Sequence, residues 1–184
     1  MRFNRHSEVE GRHATLSAST NSWLSYTPER LMEVVANKQA AREGTLRHEL
    51  AQRLIDLGVK LPNTSQTLNR YVNDCIGYGM QTEKVLFYSY HAFGTADAID
   101  FVELSKTLRI FDLKNGLKTA SEAQLLVYAA YFCLEYKVRP MSINFDLRIY
   151  QNDDVIIIEV DPEEIAHIMD RIIMFDKMIT ESEG

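Results

Sequence analysis

The chain has 184 residues, of which 46% are hydrophobic and 25% charged, and its formal net charge at pH 7 is −6. This composition excludes an intrinsically disordered protein and is typical of one soluble globular domain with its own core. The acidic balance argues mildly against a protein that coats nucleic acid non-specifically. It does not exclude a nuclease, because clustered catalytic acids count toward the total.

The cysteines and the N-terminus indicate the compartment. Cys75 and Cys133 have no metal-ligand spacing, so each is interpreted as a buried free thiol, which fits a reducing intracellular setting. Residues 1–13 are polar and contain no apolar stretch of the kind found in signal peptides, and no apolar run reaches the length of about 18 residues that spans a membrane. We therefore expect a cytoplasmic protein with a flexible segment at 1–13 and a single domain at 14–184.

The first part of the chain has the periodicity of helices, with apolar residues every three to four positions. The predicted elements are a short helix around Trp23 capped by Ser19 or Thr20, and helices over residues 29–42, 45–58 and 64–81. Gly58 is placed to end the helix that begins near Thr45.

From residue 83 the pattern changes to short β-branched and aromatic segments. The predicted order is strands at 83–91, 96–103 and 107–113, a largely buried helix from Ser121, strands at 142–150 and 154–160, and a last helix from Pro162. This order predicts an α/β fold with a mixed central β-sheet flanked by helices. The apolar side of the last helix carries Ile165, Ile168, Ile172 and Phe175. Packing on its own sheet is the favoured use of that side, and a subunit contact is the alternative.

Three charged residues on the second and third predicted strands carry the chemistry. Asp112 and Lys114 lie two apart and therefore share one face of a strand, while Leu113 between them points into the core and keeps its carbonyl available. A hairpin places Asp97 beside Asp112, and two converging carboxylates repel one another unless a cation lies between them. Oxygen ligands of this kind suit Mg²⁺ or Mn²⁺.

A plainer interpretation exists for each of these residues. A D-x-K on an edge strand is usually a solvated acid and base, and Asp97 alone is equally a turn acid. Gln124 and Tyr128 weaken this interpretation, because they place two polar groups on one side of an otherwise apolar helix. For Tyr128, a buried ring with a satisfied hydroxyl remains an alternative.

The motifs GTADAIDF, LRIFDLKNG and EAQLLVYA resemble the RecB-like and lambda-exonuclease-like branch of the PD-(D/E)XK nucleases, whose core is restriction-endonuclease-like. Upstream, GTLRHELAQ resembles the G-x-x-x-H motif of that branch through Gly44 and His48, and LSASTNSWLSYTPE resembles its serine-rich N-terminal segment. The resemblance covers roughly residues 13–160, with the motifs in the same order.

The resemblance implies a role for each matching residue. The implied metal ligands are His48, Asp97, Asp112 and the backbone carbonyl of Leu113. Lys114 would activate or position the water, and Gln124 and Tyr128 would support the site and the DNA backbone. Glu83 is a further candidate because it opens the strand before GTADAID, and a carboxylate at the metal is weighed evenly against a surface acid.

The implied function is that of a Mg²⁺- or Mn²⁺-dependent DNA exonuclease, phage-encoded in a bacterial host, which processes ends in recombination or repair. Its partners would be DNA, recognised through backbone and ends with little sequence specificity, a single-strand annealing protein, and further copies in a homo-oligomer. The alternatives are a structure-specific endonuclease on the same fold and a degenerate nuclease fold that binds DNA or protein. Candidates for gripping the DNA backbone, each weighed against a solvated surface charge, are Arg12, Arg42, Arg47, Lys118 and Arg148.

Three positions depart from the pattern of these nucleases. Gln52 stands where members often have glutamate, and Asp112 replaces the commoner glutamate, which shortens its reach by one methylene. Tyr26 lies near the position where iron–sulfur members carry a cysteine, and the C-terminal segment has none. We therefore expect no iron–sulfur cluster.

Overall fold

The computed structural model describes Leu16 and residues 21–115 and 121–183. The predicted flexible segment at 1–13 and the predicted caps Ser19 and Thr20 lie outside the described residues. The chain divides into two compact units, Met1–Glu43 and Gly44–Gly184, and the boundary falls within a helix.

In the first unit, a short 3-10 helix at Asn21–Ser25 precedes helix α1, which spans Pro28–Asp56 and continues into the second unit. Thr27 caps the start of α1, because its Oγ1 accepts a hydrogen bond of 3.2 Å from the backbone N–H of Arg30. Proline suits the first helical position, where its missing N–H is not needed.

The prediction of two separate helices at 29–42 and 45–58 was wrong. Glycine inside a helix costs about 1 kcal/mol relative to alanine, but it ends the helix only when it takes a left-handed conformation. Gly58, two residues beyond the end of α1, has a φ of 66°, whereas Gly44 is helical and has no such positive φ. The chain therefore continues through Gly44 without a break.

The second unit contains the remaining elements, and the structure confirms the predicted order of helices and strands. They are α2 (Thr67–Tyr78), β1 (Gln81–Ser89), β2 (Ala92–Val102), β3 (Thr107–Leu113), α3 (Ala123–Tyr136), a 3-10 turn (Pro140–Ser142), β4 (Asn144–Gln151), β5 (Asp154–Ile158) and α4 (Pro162–Glu183).

The five strands form one mixed sheet in the order β1-β2-β3-β4-β5. All neighbours are antiparallel except β3 and β4, which are parallel because α3 carries the chain back between them. The predicted α/β fold with a mixed sheet flanked by helices is confirmed.

The helices bury apolar side chains on both faces of the sheet. On one face, α3 and the first half of α4 pack on residues that include Ala96, Ile110 and Leu147. On the other face, α2 and the last turns of α1 pack on residues that include Ala98 and Phe111.

The predictions for buried groups in this unit can be compared with the packing. The predicted burial of α3 is confirmed, since six of its residues are buried. In α4, Ile165 is buried and Ile168 and Ile172 pack on the sheet side, whereas Phe175 is 44% exposed. Cys75 and Cys133 are free and buried, as predicted, and burial raises the pKa of the Cys133 thiol to about 12.

Candidate metal centre

An irregularity in the β1–β2 pair positions two of the candidate acids. Glu83 and Asp97 lie opposite one another in a register that holds on both sides of them, but the two residues are not paired. Ala96 and Ala98, which should share a face of a regular strand, instead pack on opposite faces of the sheet. Glu83 has a φ of 49°, a conformation that non-glycine residues adopt at a cost. The side chains on either side of these two acids therefore alternate out of step, so that the face which points to α3 changes at Asp97. Irregularities in strand pairs redirect side chains near active sites.

At the end of β3, the side chain of Asp97 accepts a backbone hydrogen bond that a neighbouring strand would otherwise accept. The regular pairing of β2 with β3 stops at Ala98 and Phe111. Beyond it, Asp97 Oδ2 accepts a hydrogen bond of 3.0 Å from the backbone N–H of Leu113. The N–H and C=O of one strand residue point to the same edge, so the Leu113 carbonyl also faces the β2 side. The Leu113 side chain is buried in the core, as predicted.

Helix α1 brings His48 to the same place. Ala51 and Ile55 are buried against the sheet, and His48 lies one turn earlier on the same side of the helix. Its Nδ1 is 3.4 Å from Asp97 Oδ2. His48, Glu83 and Asp97 each offer a ligand atom, and these atoms lie within 4.8 Å of one another. The structure thus brings together three of the predicted ligands, from α1, β1 and β2.

Asp112 and Lys114 form an ion pair on the α3 side of β3. The Lys114 ammonium donates a hydrogen bond of 3.1 Å to Asp112 Oδ1 and is 2.9 Å from Oδ2. Oδ2 is nevertheless buried without a hydrogen bond of acceptable geometry. The predicted shared face is confirmed. Asp112 is not part of the group of three, although its charge acts on Asp97.

Gln124 and Tyr128 on α3 hold Lys114 in position. Lys114 Nζ donates a hydrogen bond of 2.8 Å to Gln124 Oε1, and Gln124 Nε2 donates one of 3.2 Å to the Tyr128 hydroxyl. The Tyr128 ring lies over Gly94 so closely that a Cβ there would be 2.8 Å from the ring. Burial raises the pKa of the Tyr128 hydroxyl, so it stays protonated at neutral pH. The tyrosine hydroxyl is thus satisfied by Gln124, and both residues connect to the site.

The site holds more negative charge than it neutralises. Burial, together with the charge of Asp112, raises the pKa of Asp97 to about 6, and His48, the Leu113 N–H and the Lys114 ammonium oppose this rise. A carboxylate whose charged form is disfavoured by burial and by a like charge is one that a cation would stabilise. One imidazole nitrogen with several carboxylate oxygens suits Mn²⁺ or Mg²⁺, and the unsatisfied Oδ2 of Asp112 fits such an ion.

Of the predicted backbone-gripping arginines, the interpretation of Arg148 was wrong. Its Nε and Nη2 donate hydrogen bonds of 2.7 and 2.9 Å to Asp146, and its guanidinium lies over the rings of Tyr78 and Phe111. Its side chain is 19% exposed, so the stacking and the ion pair with Asp146 argue against both a phosphate contact and a solvated surface charge.

The other basic candidates have different positions. Arg12 and Lys118 lie outside the described residues, and Arg42 lies on α1 in the first unit. Arg47 is exposed, and its Nη1 donates a hydrogen bond of 3.3 Å to Asn115 Oδ1. Sequence reasoning did not single out Asn115, although it directly follows Lys114.

Comparisons with protein-family models, with curated proteins and with solved structures found no match for this chain. Within the described ranges, no helix combines the length and apolar character needed to cross a membrane.

Proposed function

We propose that this chain is a metal-dependent DNA nuclease with a PD-(D/E)XK core. The observation that carries the proposal is the convergence of His48, Glu83 and Asp97 beside the Asp112–Lys114 pair. These residues come from separate elements and meet at a strand irregularity, which a set of solvated surface charges does not require. The order of three antiparallel strands, a crossover helix and a parallel strand supports the proposed core.

Each residue has a role in the proposed hydrolysis. His48, Asp97, Asp112 and the Leu113 carbonyl would hold Mg²⁺ or Mn²⁺, with Glu83 as a further carboxylate. The bound ion would lower the pKa of a water and offset the charge of the phosphate. Lys114 would orient that water through its ammonium and donate hydrogen bonds to the phosphate oxygens. Gln124 and Tyr128 would keep the ammonium directed at the site.

The cleavage pattern proposed is exonucleolytic, and this part rests on the sequence resemblance. Recognition would run through the phosphates and the DNA end, with little dependence on base sequence. End processing in phage recombination, with an annealing protein as partner and an oligomeric enzyme, belongs to the same proposal.

The test is digestion of linear, nicked-circular and covalently closed duplexes, with one end labelled on the linear substrate, by the full chain in Mn²⁺, Mg²⁺, Ca²⁺ or EDTA. We expect end-dependent loss of the linear DNA, with Mn²⁺ at least as effective as Mg²⁺ because His48 supplies nitrogen. Ca²⁺ should not support turnover. Cleavage that persists in EDTA contradicts a metal mechanism, and cutting of closed circles favours an endonuclease.

Two variants and a control locate the activity. Asp112→Ala and Lys114→Ala should each lower the cleavage rate by at least about 1000-fold while circular dichroism shows a folded chain. Glu103→Gln changes an exposed acid of the β2–β3 turn, outside the site, and should cleave like the wild type. Full activity in either site variant contradicts the assignment.

A further inference from the structure

A polar crevice of about 430 Å³ lies beside the candidate metal centre, on the α2 side of the sheet. Its lining includes Arg47, Thr67, Lys114, Asn115 and Asn152. The topology explains its place, because β3 and β4 are parallel and their carboxyl ends meet at one edge. Crevices at such edges are where sheets of this kind bind ligands.

Among the described residues that line this crevice, Arg47 is a cation that is open to a ligand. The Lys114 ammonium is engaged with Asp112 and Gln124 on the other face of the strand. Within the described part of the chain, Arg47 forms no ion pair, and one of its nitrogens is held by Asn115. Asn115 is oriented in turn, because its Nδ2 donates a hydrogen bond of 3.4 Å to the Gly44 carbonyl. The guanidinium thus lines the crevice, and apart from Asn115 no described residue bonds to its donors.

The acid in the crevice is already satisfied. Asp153 Oδ1 accepts hydrogen bonds of 2.8 and 3.1 Å from the N–H and hydroxyl of Thr67 at the start of α2. Its charge therefore faces the positive end of that helix, where it is stabilised, and Arg47 remains without a countercharge among the described residues.

We propose that Arg47 and Asn115 form a phosphate subsite that takes a backbone phosphate next to the one that is cut; this inference rests on the proposed nuclease function. The planar guanidinium of an arginine can donate two parallel hydrogen bonds to two oxygens of one phosphate. The hydrogen bond to Asn115 fixes the plane of the Arg47 guanidinium. Lys114 lines the crevice and also pairs with Asp112, so the crevice borders the candidate metal centre. The ligand is a nucleic-acid phosphate, either an internal diester or a terminal monoester.

The experiment measures DNA binding in an Asp112→Ala background, in which we expect no cleavage. This change also frees the Lys114 ammonium, and it does so equally in every variant, so the variants are compared only within this background. Fluorescence anisotropy gives Kd for a short duplex across a salt series, with and without Arg47→Ala. The matched control is Arg53→Ala, an exposed arginine of the same helix that lines a different cavity. Circular dichroism checks the fold of each variant, and Asn115→Ala serves as a second variant.

We expect Arg47→Ala to raise Kd by about 5- to 20-fold and to make the slope of log K against log salt shallower by about 0.9, the loss of one phosphate contact. Asn115→Ala should raise Kd less, and Arg53→Ala should change neither quantity. Equal behaviour of the Arg47 and Arg53 variants overturns the subsite, as does a background protein that binds no DNA.

Two further measurements distinguish an internal phosphate from a terminal one, and the phosphate subsite from the nuclease function. If the Arg47 effect is the same on duplexes with 5′-phosphate and 5′-hydroxyl ends, the ligand is an internal diester, and if it needs the 5′-phosphate, the ligand is the terminal monoester. An Arg47-dependent salt slope in a chain whose wild type never cleaves in Mn²⁺ or Mg²⁺ supports the subsite and refutes the nuclease function. Metal-dependent cleavage without any effect of Arg47→Ala on the salt slope supports the nuclease function and refutes the subsite.

Discussion

The sequence F-D-L followed by a basic residue occurs twice, at residues 111–114 and 145–148, on the parallel neighbours β3 and β4. The two motifs are offset by three positions in the register, since Asp146 pairs with Arg109, and their acids therefore face opposite sides of the sheet. Asp112 faces α3 and Asp146 faces α2, so one pattern in the sequence gives two different environments.

The environment of Asp146 is electrically balanced. Asp100 and Asp146 alternate with Arg109 and Arg148 across three strands, at 2.7 to 3.4 Å. The two guanidinium groups also lie over the ring of Tyr78. The charges of two acids and two bases cancel here, so the network needs no further ion, although Arg109 Nε is buried without a hydrogen bond.

The environment of Asp112 is not balanced. Glu83 and Asp97 converge with His48 beside the Asp112–Lys114 pair, and Asp97 has a raised pKa. The comparison teaches that charge balance, rather than the presence of buried ionic residues, distinguishes a network that neutralises itself from a cluster that a cation would stabilise.

The largest expected effect on stability comes from breaking the balanced network. Asp146→Ala leaves Arg109 and Arg148 without a shared carboxylate in a place where each is only about one fifth exposed. We expect the free energy of unfolding to fall by about 3 kcal/mol, as for other partly buried pairs that lose one member. Urea unfolding followed by circular dichroism measures it, and a loss below about 1 kcal/mol would mean that the network contributes little.

The unbalanced site should respond in the opposite direction. An asparagine side chain at position 97 can still accept the Leu113 N–H but carries no charge beside Asp112. We expect Asp97→Asn to raise the free energy of unfolding at pH 7 in EDTA by up to about 3 kcal/mol, the upper limit set by the pKa of Asp97. Cleavage should be lost in the same variant. If Asp97→Asn instead destabilises the protein in EDTA, the charge of Asp97 is accommodated without a cation.

The pH dependence of that gain gives a further check. Folding raises the pKa of Asp97 from its ordinary 3.8 to about 6, so the folded chain binds this proton more tightly than the unfolded chain. The contribution of Asp97 to stability is therefore highest at low pH and is lost as the pH rises from about 4 to about 6. In EDTA, the difference between Asp97→Asn and wild type should be small at pH 4 and full at pH 7. A difference that does not change with pH contradicts the raised pKa.

A smaller effect should follow from crowding Tyr128. In Gly94→Ala, the new methyl group would lie 2.8 Å from the ring, so ring and strand must move apart. We expect a loss of about 1 to 3 kcal/mol of stability, together with reduced cleavage, because Tyr128 supports Gln124 and Lys114. Gly77→Ala is the control, since nothing lies within 4 Å of a Cβ there. Equal stability of the two variants would show that the Tyr128 contact is not tight.

How much could be read from the sequence depended on the range of the interactions involved. The strands and α3 were predictable because their apolar patterns are local and strong, and the shared face of Asp112 and Lys114 followed from strand geometry alone. The predicted break between residues 42 and 45 does not occur in α1. A glycine such as Gly44 ends a helix only when it takes a left-handed conformation.

Long-range features gave no signal in the sequence. The positive φ of Glu83 and the reversal of faces at Asp97 arise from pairing between β1 and β2 and could not be foreseen from spacing, although Glu83 itself was a candidate metal carboxylate. The pairing of Arg148 with Asp146 was not foreseen, because the two residues have the same spacing in the sequence as Lys114 and Asp112. Only the neighbours on other strands distinguish the two.

The most direct test of the unbalanced site is a titration of the full chain with Mn²⁺ by isothermal titration calorimetry at about pH 7.5, above the raised pKa of Asp97. The wild type should bind Mn²⁺, Asp97→Asn should bind it at least about 10-fold more weakly, and Glu103→Gln should bind it like the wild type. A wild type that binds no Mn²⁺, or an Asp97→Asn variant that binds it as tightly as the wild type does, would contradict a metal centre at His48, Glu83, Asp97 and Asp112.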